Sequence, residues 1–422
     1  MPYCAMGLLK PKPKSSEAAI NRRRSIVPSS QALTGFPPNS LSKPHLKALA
    51  LRCGRKKKKE RVGNGYARAR TQTAWRAYGG TIPIDWSGRR EISQATARVP
   101  CRRSRNFDRA LASCPVCGSM NRIHFASGHD YELQTCRNEW HFWRCGECKA
   151  ARLDPRPTAA ELGVIYPSTY YAYNRSEKVS VIARKGKEVL DRIKFNGFLR
   201  RTGIPRSFLD IGCGDGRYLD LFERRGISKD RIYGLDLSEE QVQRLRQHGY
   251  QVYRQRVEDC SEIPAGSIDL ATMFHVIEHV ADPVRVVSKI AEWLTPGGSL
   301  VVETPNLDSW DARLFKQQWW GGYHIPRHWT LFEANSLRRL FEQCGLTVQQ
   351  CTYQTGHASW MNSFHHLAKY NARLPSPHLA DWFELPKGLP MLIAFTGLDL
   401  VRRTLGARTS TILMVGQKSN HC

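Results

Sequence analysis

This sequence of 422 residues lacks the features that would place it in a membrane or outside the cell. No apolar run reaches the 18 or more residues of a membrane-spanning helix. The first residues do not contain the compact apolar core and small-residue cleavage site of a signal peptide. We therefore expect a soluble, cytoplasmic protein.

Acidic residues are scarce at the start of the chain. Residues 1–109 contain 25 Lys and Arg against 5 Asp and Glu, so residues 110–422 carry only +7 of the net charge of +27. The segment shows no lasting helical or strand periodicity, and its composition predicts a disordered basic arm. Two alternatives stay open: an arm that binds nucleic acid through its charge, and upstream sequence joined by a misplaced start.

The 13 cysteines are not spaced as in a small secreted disulfide protein. Cys114 and Cys117 form one Cys-x-x-Cys pair, and Cys145 and Cys148 form a second. Four thiolates on two tight turns are typical of a structural zinc site, so we predict a zinc ribbon over residues 110–155.

Other side chains of this segment have alternative roles. Cys136 and His141 are spare potential ligands, and a redox role for a Cys-x-x-Cys pair is the less favoured interpretation. The aromatic run of Trp140, Phe142 and Trp143 is expected to form a small core.

From residue 206 onward, short apolar strands alternate with helices, which predicts an α/β fold with a mostly parallel sheet covered on both faces. The predicted strands are Ser207–Ile211, Arg231–Leu235, Tyr250–Tyr253, Ile268–Met273, Ser299–Glu303, Leu346–Cys351 and Thr411–Val415. Ser238, Asp282 and Asn335 are predicted helix caps. Residues 156–205 are predicted to be a helical connector, with Ile182, Val189, Leu190 and Ile193 on one face.

A glycine-rich loop leaves the first of these strands and enters a helix. It contains Gly212, Gly214 and Gly216, and glycine allows the backbone to turn tightly and approach a ligand. The spacing Gly-x-Gly-x-Gly differs from the Gly-x-Gly-x-x-Gly of dinucleotide-binding proteins, which argues against a dehydrogenase. Asp210 precedes the loop on the strand.

Two further acids follow the next strands. Asp236 comes 20 residues after Gly216, at a strand end where a carboxylate can accept both hydroxyls of a ribose, with Leu237 beside it. Asp259 can accept a hydrogen bond from an adenine amino group, with the backbone N–H of Cys260 facing a ring nitrogen.

Taken in order, these motifs resemble those of the class I methyltransferase family, over roughly residues 160–355. The matching stretches are the glycine loop, Gly234-Leu235-Asp236, Asp259 with Pro264, Ser267-Ile268-Asp269-Leu270, Val276-Ile277-Glu278-His279-Val280-Ala281-Asp282-Pro283 and Leu294-Thr295-Pro296-Gly297-Gly298. The resemblance implies a Rossmann-like seven-stranded sheet of order 3-2-1-4-5-7-6 with the seventh strand antiparallel. It also implies S-adenosylmethionine at the strand C-termini, with its positive sulfonium and amino groups near Asp210.

The cysteine-rich segment extends this resemblance to bacterial methyltransferases that carry an N-terminal zinc ribbon. Their Asn-Pro-Arg-Pro element is similar to Asp154-Pro155-Arg156-Pro157, and Tyr170 and Tyr171 follow it. This resemblance implies a reaction but no particular acceptor.

Four histidines are candidates for catalysis. His275 and His279 follow the fourth strand, where the family places the methyl group, and His275 is also a candidate cofactor contact. His324 and His328 follow the fifth strand, on the family's acceptor side, and are candidate bases or substrate contacts. The pair Glu278-His279 resembles that of quinone-biosynthesis O-methyltransferases, in which such side chains hold a divalent metal, but His275 stands where a further acid would help.

The predicted function is methyl transfer to an oxygen or carbon atom of a small molecule, glycan or lipid-linked intermediate. The alternatives are a tRNA or rRNA methyltransferase that uses the zinc ribbon and the basic arm, and a non-catalytic S-adenosylmethionine-binding protein. The modest charge of residues 110–422 argues against the first alternative, and the intact glycines and acids argue against the second. The apolar stretch at 389–398 is expected to pack in the core, with peripheral membrane contact as the other interpretation.

Overall fold

A computed structural model describes residues 113–167, 181–371 and 376–420. The predicted basic arm at 1–109 and the Tyr170-Tyr171 motif lie outside the described residues.

The described residues contain eleven strands and ten α-helices. The strands are β1 (Arg122–Gly128), β2 (Trp140–Cys145), β3 (Ala151–Leu153), β4 (Phe208–Ile211), β5 (Ile232–Leu235), β6 (Gln251–Tyr253), β7 (Ile268–Phe274), β8 (Leu294–Pro305), β9 (Thr330–Leu331), β10 (Leu346–Gln354) and β11 (Thr411–Lys418). The helices are α1 (Leu162–Ile165), α2 (Val181–Thr202), α3 (Arg217–Glu223), α4 (Glu239–Gln247), α5 (Pro283–Trp293), α6 (Trp310–Leu314), α7 (Ala334–Gln343), α8 (His357–Tyr370), α9 (Pro377–Ala380) and α10 (Leu389–Thr404).

The large sheet has seven strands in the order β10-β11-β8-β7-β4-β5-β6. If these seven strands are renumbered 1 to 7 along the chain and the sheet is read from β6, the order is 3-2-1-4-5-7-6. The last strand, β11, runs antiparallel to both of its neighbours. The expected fold class and strand order are therefore confirmed.

Strand β4 lies in the middle of this sheet, parallel to β5 on one side and β7 on the other. All four of its residues are buried, because helices cover both faces of a parallel sheet. The chain moves outward from β4 to β6 and then returns to its other side at β7. This reversal opens a crevice at the C-terminal end of β4, which is where open α/β sheets bind ligands.

Two of the predicted helix caps are present, and one is wrong. The side chains of Ser238 and Asp282 accept hydrogen bonds from the backbone N–H groups of the third residue beyond them. Helix α7, however, begins at Ala334, so Asn335 lies within its first turn. The N–H of Glu333 donates to the hydroxyl of Ser336 at 2.9 Å, so the helix cap is Glu333, two residues earlier than the sequence suggested.

The connector does form a long helix, α2, but the buried face differs from the predicted one. Val189 and Ile193 are about half exposed, whereas Phe195 and Phe198 are buried against the large sheet's helices. The aromatic side chains offer more apolar surface, and their burial also turns Lys194 inward.

The cysteine-rich segment forms a second sheet in the order β1-β2-β3-β9. Its last strand belongs to the chain after β8, and Ala151 and Arg152 pair with Leu331 and Thr330. Trp140 and Phe142 are fully buried here, as predicted for an aromatic core. The core also includes residues of the chain after β8, so the two segments share one hydrophobic cluster.

A buried ion pair joins the same two segments. Both carboxylate oxygens of Asp130 lie 3.0 Å from the guanidinium of Arg327, and both side chains are fully buried. Arg327 also donates to the carbonyl oxygen of Ile165 at 2.8 Å. The hairpin between β1 and β2 is thereby fixed against the loop before β9.

The apolar stretch at 389–398 begins α10, and the expectation of core packing is wrong for much of it. Ile393 and Leu398 are exposed, while the buried residues of α10 are Asp399 and Arg402. This helix is held by its polar side, because Asp399 accepts from Arg402 and from the N–H of Gly356. Peripheral membrane contact stays a prediction, and no helix within the described ranges is long and apolar enough to cross a membrane.

The buried ion pair gives a stability prediction. Replacement of Asp130 by Ala leaves the Arg327 guanidinium buried without its carboxylate, so we expect the free energy of unfolding to fall by about 3–5 kcal/mol. Urea unfolding followed by tryptophan fluorescence measures this change. The matched control is Lys387→Ala, which breaks the exposed pair with Asp381 and should cost less than about 1 kcal/mol. Equal losses in the two variants would contradict the structural role given to Asp130.

Candidate functional site

The glycine loop turns immediately after β4. Gly212, Gly214 and Gly216 have φ angles of 75°, 51° and 77°, a region that residues with a Cβ rarely adopt. A Cβ on Gly212 would also lie 2.6 Å from a methyl carbon of Val276. The loop folds over the end of β5, because the N–H groups of Gly212 and Cys213 donate to the carbonyl oxygen of Leu235.

Asp210 is the buried acid beneath this loop. Its side chain accepts a hydrogen bond from the hydroxyl of Thr272, on the neighbouring strand β7, at 2.7 Å. Burial raises the pKa of Asp210 to about 7, against the lowering effect of that hydrogen bond. A cation placed beside Asp210 would therefore restore its charge.

Asp236 joins the end of β5 to the glycine loop. One carboxylate oxygen accepts from the N–H of Gly214 at 2.8 Å, and the other accepts from the N–H of Ser238 at 2.8 Å. The side chain is half-buried, and the neighbouring Leu237 is exposed. The second predicted acid is thus oriented by backbone groups at the crevice edge.

Asp259 and Cys260 follow β6, the next strand outward. Asp259 is exposed at the end of a short 3-10 turn, and Cys260 is buried. The N–H of Cys260 donates to the carbonyl oxygen of Val257 at 3.3 Å, so the predicted adenine contact would compete with this long hydrogen bond.

His275 stands at the end of β7 with a positive φ of 56°. Its ring lies between two carboxylates, with Nδ1 3.4 Å from Glu278 and Nε2 3.7 Å from Glu303. Burial would lower the pKa of His275, but the two carboxylates raise it to about 9. The side chain is 51% exposed, so a charged ring here faces the crevice.

Glu303 is held by a lysine from the connector helix. Lys194 donates to Glu303 at 2.7 Å, and both side chains are largely buried. Burial would raise the pKa of Glu303, but Lys194 and His275 hold it well below the usual range. This ion pair therefore links helix α2 to the crevice.

Glu278 is fully buried behind His275. One oxygen accepts from the hydroxyl of Thr304 at 3.0 Å. The other has no hydrogen-bond partner among the described residues and lies 4.0 Å from Nε2 of His328. Burial would raise the pKa of Glu278, and His275 lowers it below the usual value.

The rings of His279 and His328 pack edge-on, with their centroids 4.6 Å apart. Nδ1 of His279 is 3.0 Å from the carbonyl oxygen of Arg327, and Nδ1 of His328 is 2.8 Å from that of Gly322. Burial lowers the pKa of His279 to about 4 and that of His328 well below its usual value, so both rings are neutral.

The same three side chains form a candidate metal group. Donor atoms of Glu278, His279 and His328 all lie within 4.8 Å of one another. A carbonyl oxygen that accepts from Nδ1–H leaves Nε2 of each ring for an ion, which is the usual outer-shell arrangement of a histidine ligand. Two imidazoles and one carboxylate suit a divalent transition metal.

His324 completes the histidine cluster from the loop before β9. Its Nδ1 is 2.6 Å from a carboxylate oxygen of Glu132, and its ring packs edge-on against His279 and His328. The structure thus brings all four predicted histidines together. His275, His279 and His328 lie near Glu278, and His324 packs against His279 and His328.

Four residues of this region were not found from the sequence: Glu132, Lys194, Thr272 and Glu303. Glu303 could have been found from the sequence, because a charged residue inside the otherwise apolar strand β8 requires a partner. Glu132 and Lys194 carried none, since their partners are more than a hundred residues away along the chain.

The four predicted zinc ligands also lie together. The sulfur atoms of Cys114 and Cys148 are 3.5 Å apart, as are those of Cys117 and Cys145, and all four lie within 4.8 Å of one another. Zn–S bonds of about 2.3 Å in a tetrahedron require sulfur separations of about 3.8 Å, so the thiols fit a zinc ion. Neither spare candidate is part of this group: Cys136 lies in the aromatic core, and His141 bonds to Ser127.

Known proteins match the part of the chain that builds this crevice. Residues 180–351 match the family described as a methyltransferase domain. A ubiquinone biosynthesis O-methyltransferase of Xanthomonas campestris is 32% identical over 130 residues, which cover 29% of this chain and 53% of that protein. Another, from Xanthomonas axonopodis, is 39% identical over 104 residues, 23% of this chain and 42% of that protein. The chain thus spans about half the length of these relatives.

Among solved structures, an S-adenosylmethionine-dependent methyltransferase from Archaeoglobus fulgidus is 18% identical with a TM-score of 0.36, and the match covers 54% of this chain and 93% of that one. The family match, together with the strand order 3-2-1-4-5-7-6 found in this chain, establishes the fold family. Residues 180–351 therefore match the sequence of a methyltransferase domain.

Proposed function

We propose that this protein transfers a methyl group from S-adenosylmethionine to an oxygen or carbon atom of a small molecule, glycan or lipid-linked acceptor. One observation carries the proposal. Asp210 and Asp236 lie at the ends of adjacent strands, on either side of a glycine loop in which all three glycines have positive φ angles.

The acids fit the two ends of this cofactor. Asp210 is buried and carries a raised pKa, so a sulfonium or ammonium group beside it would gain from ionising it. Asp236 keeps acceptor capacity on both oxygens, since each carboxylate oxygen has two lone pairs and accepts one backbone N–H. Between the two acids, the glycine loop at 212–216 would line the cofactor site. The proposed adenosine contacts are Leu237, Asp259 and Cys260.

The acceptor side favours oxygen. S-Adenosylmethionine supplies an electrophilic methyl carbon, so the protein's task is alignment of the acceptor and removal of a proton. His275, Glu278 and the other three histidines surround the crevice beyond β7. The matched relatives are named O-methyltransferases, which agrees with oxygen as the acceptor atom.

We also propose that Cys114, Cys117, Cys145 and Cys148 hold one structural zinc ion. The site is closed by four thiolates, so the ion would stabilise the turns before β1 and after β2 and take no part in methyl transfer. Its position next to the sheet β1-β2-β3-β9 makes it a support of the acceptor-side loop.

The first test is calorimetry with S-adenosylmethionine on the full chain. We expect binding by the unmutated protein and an affinity loss of about 100-fold for Asp236→Ala, because two hydrogen bonds to a charged group contribute about 1.5 kcal/mol each. Asp230→Ala, an exposed acid before β5, is the matched control and should bind normally. Absence of binding by the unmutated chain would overturn the proposed function.

The raised pKa of Asp210 predicts how the free energy of unfolding changes with pH. Its pKa is about 7 when folded and about 3.9 when unfolded, so the unfolded state loses its proton first and the free energy of unfolding falls as the pH rises from about 4 to 7. Between pH 5 and pH 8 this fall amounts to about 3 kcal/mol, and Asp210→Asn should remove it. Thermal unfolding without cofactor measures the difference. Asp215→Asn, on the exposed part of the same loop, should keep the fall; if Asp210→Asn also keeps it, the assignment is wrong.

Metal analysis tests the zinc site. The purified chain should contain one zinc, and Cys114→Ser should lose it together with part of the thermal stability. Cys351→Ser, a half-buried thiol outside the group, is the control and should keep the zinc. A second equivalent of divalent metal that survives in Cys114→Ser but not in Glu278→Gln would belong to the group of Glu278, His279 and His328.

A further inference from the structure

Helix α10 leaves one apolar side exposed to solvent. Ile393, Leu398 and Val401 are 56%, 41% and 59% exposed, and Leu405, directly after the helix, is 80% exposed. The exposed residues of the helix are apolar except for Thr404, and their spacing of three to five residues places them on one side. The α10 stripe consists of Pro390, Ile393, Ala394, Gly397, Leu398, Val401 and Leu405.

The opposite side of α10 is packed against the fold. The ring of Phe395 stacks on those of Trp360 and Phe364, with centroids 5.6 Å and 5.5 Å away. Asp399 and Arg402 are buried beside these rings and form an ion pair of 3.0 Å. The helix is therefore attached without the α10 stripe, and a continuous apolar surface of this kind marks an interaction site.

Gly397 lies at the middle of α10, which spans Leu389–Thr404. A Cβ on Gly397 would meet no other atom of the fold within 4 Å, so the glycine faces open space. Glycine inside a helix costs about 1 kcal/mol relative to alanine. A glycine at this exposed position lowers the stability of the helix and allows a second helix to approach closely at its centre.

The two ends of the α10 stripe carry different charges. Asp381 and Glu384, both exposed, precede the helix, together with Lys387. Arg403, which is half-buried, lies in its last turn, and the exposed Arg408 follows it. Three of these groups, the two acids and Arg408, form ion pairs within the chain. Because exposed pairs contribute little to stability, these groups can also contact a partner.

This charge pattern distinguishes between two possible partners. An anionic membrane would be repelled by Asp381 and Glu384 at one end of the stripe. A second α10 in antiparallel orientation would bring these carboxylates near Arg403 and Arg408 of the other copy. It would also place the positive N-terminus of each helix dipole beside the negative C-terminus of the other.

We propose that the α10 stripe packs antiparallel against the same stripe of a second copy of this chain, about a two-fold axis at Gly397. Such an interface uses one self-complementary surface on both copies. Ile393 and Val401 each lie four residues from Gly397. Ile393 of one copy therefore contacts Val401 of the other, while the two glycines meet at the axis.

Sedimentation velocity of the full chain between about 1 and 100 μM tests the pairing, and we expect a reversible monomer–dimer equilibrium. Ile393→Glu places an unpaired carboxylate against Val401 at two points of the dimer, so its dissociation constant should rise by at least about 100-fold. The matched control is Ile204→Glu, which changes an apolar residue that precedes β4 and is 70% exposed, and it should dimerise normally.

A double variant tests the antiparallel register. Val401→Lys alone should also dissociate the dimer, whereas Ile393→Glu combined with Val401→Lys should restore it. The two introduced charges lie about 12 Å apart within one helix and face each other only between copies. Both positions are exposed, so the fold of the monomer is kept.

Three results would overturn this inference. The first is an unmutated chain that stays monomeric at about 100 μM, including one that instead floats with vesicles of phosphatidylglycerol and phosphatidylcholine. The second is a dimer that persists in Ile393→Glu, because another surface would then form it. The third is a double variant that remains monomeric, which would exclude the antiparallel register. None of these measurements depends on methyl transfer.

Discussion

The ion pair between Asp130 and Arg327 connects the two parts of this molecule. Two hydrogen bonds of 3.0 Å join side chains that have no exposed surface, so neither charge is satisfied without the other. Asp130 belongs to the β1–β2 hairpin and Arg327 to the loop before β9. Because Arg327 stands between His324 and His328 in the sequence, the pair also anchors the loop that carries these two histidines to the hairpin.

Several buried carboxylates lie around the crevice, and they differ in the neighbouring groups that stabilise their charge. Asp210 has a hydroxyl donor, no described residue offers it a cation within hydrogen-bonding distance, and its pKa is raised. Glu303 is neutralised by Lys194 from α2. Glu278 and Glu132 are balanced by histidines. The acid near the glycine loop, Asp210, can therefore accept a cationic ligand. The acids beyond β7 already have lysine or histidine partners, and such groups are suited to proton transfer.

The difference between these two sides also explains what the sequence could predict. The strand order was implied by the resemblance of the ordered motifs to a known family. The acids were predictable from local features, because Asp210 lies in β4 just before the glycine loop and Asp236 directly follows β5. The four thiols were predictable from two short spacings. The buried face of α2 was not, since Val189 and Ile193 have the right period but Phe195 and Phe198 bury more apolar surface. Likewise, no pattern within α10 indicates that its polar residues Asp399 and Arg402 face inward.

The acceptor side depends on contacts that no local pattern contains. His324 was predicted as a candidate, but its partner Glu132 lies in a different segment and meets it only because β9 joins the sheet of the cysteine-rich hairpin. That pairing requires the turns around the four thiols to be formed, since β2 and β3 flank the second Cys-x-x-Cys pair. A structural metal at the thiols would therefore act on the histidine cluster through geometry alone. It would hold the strands that hold Glu132, and leave the cofactor crevice at β4 and β5 to its own residues.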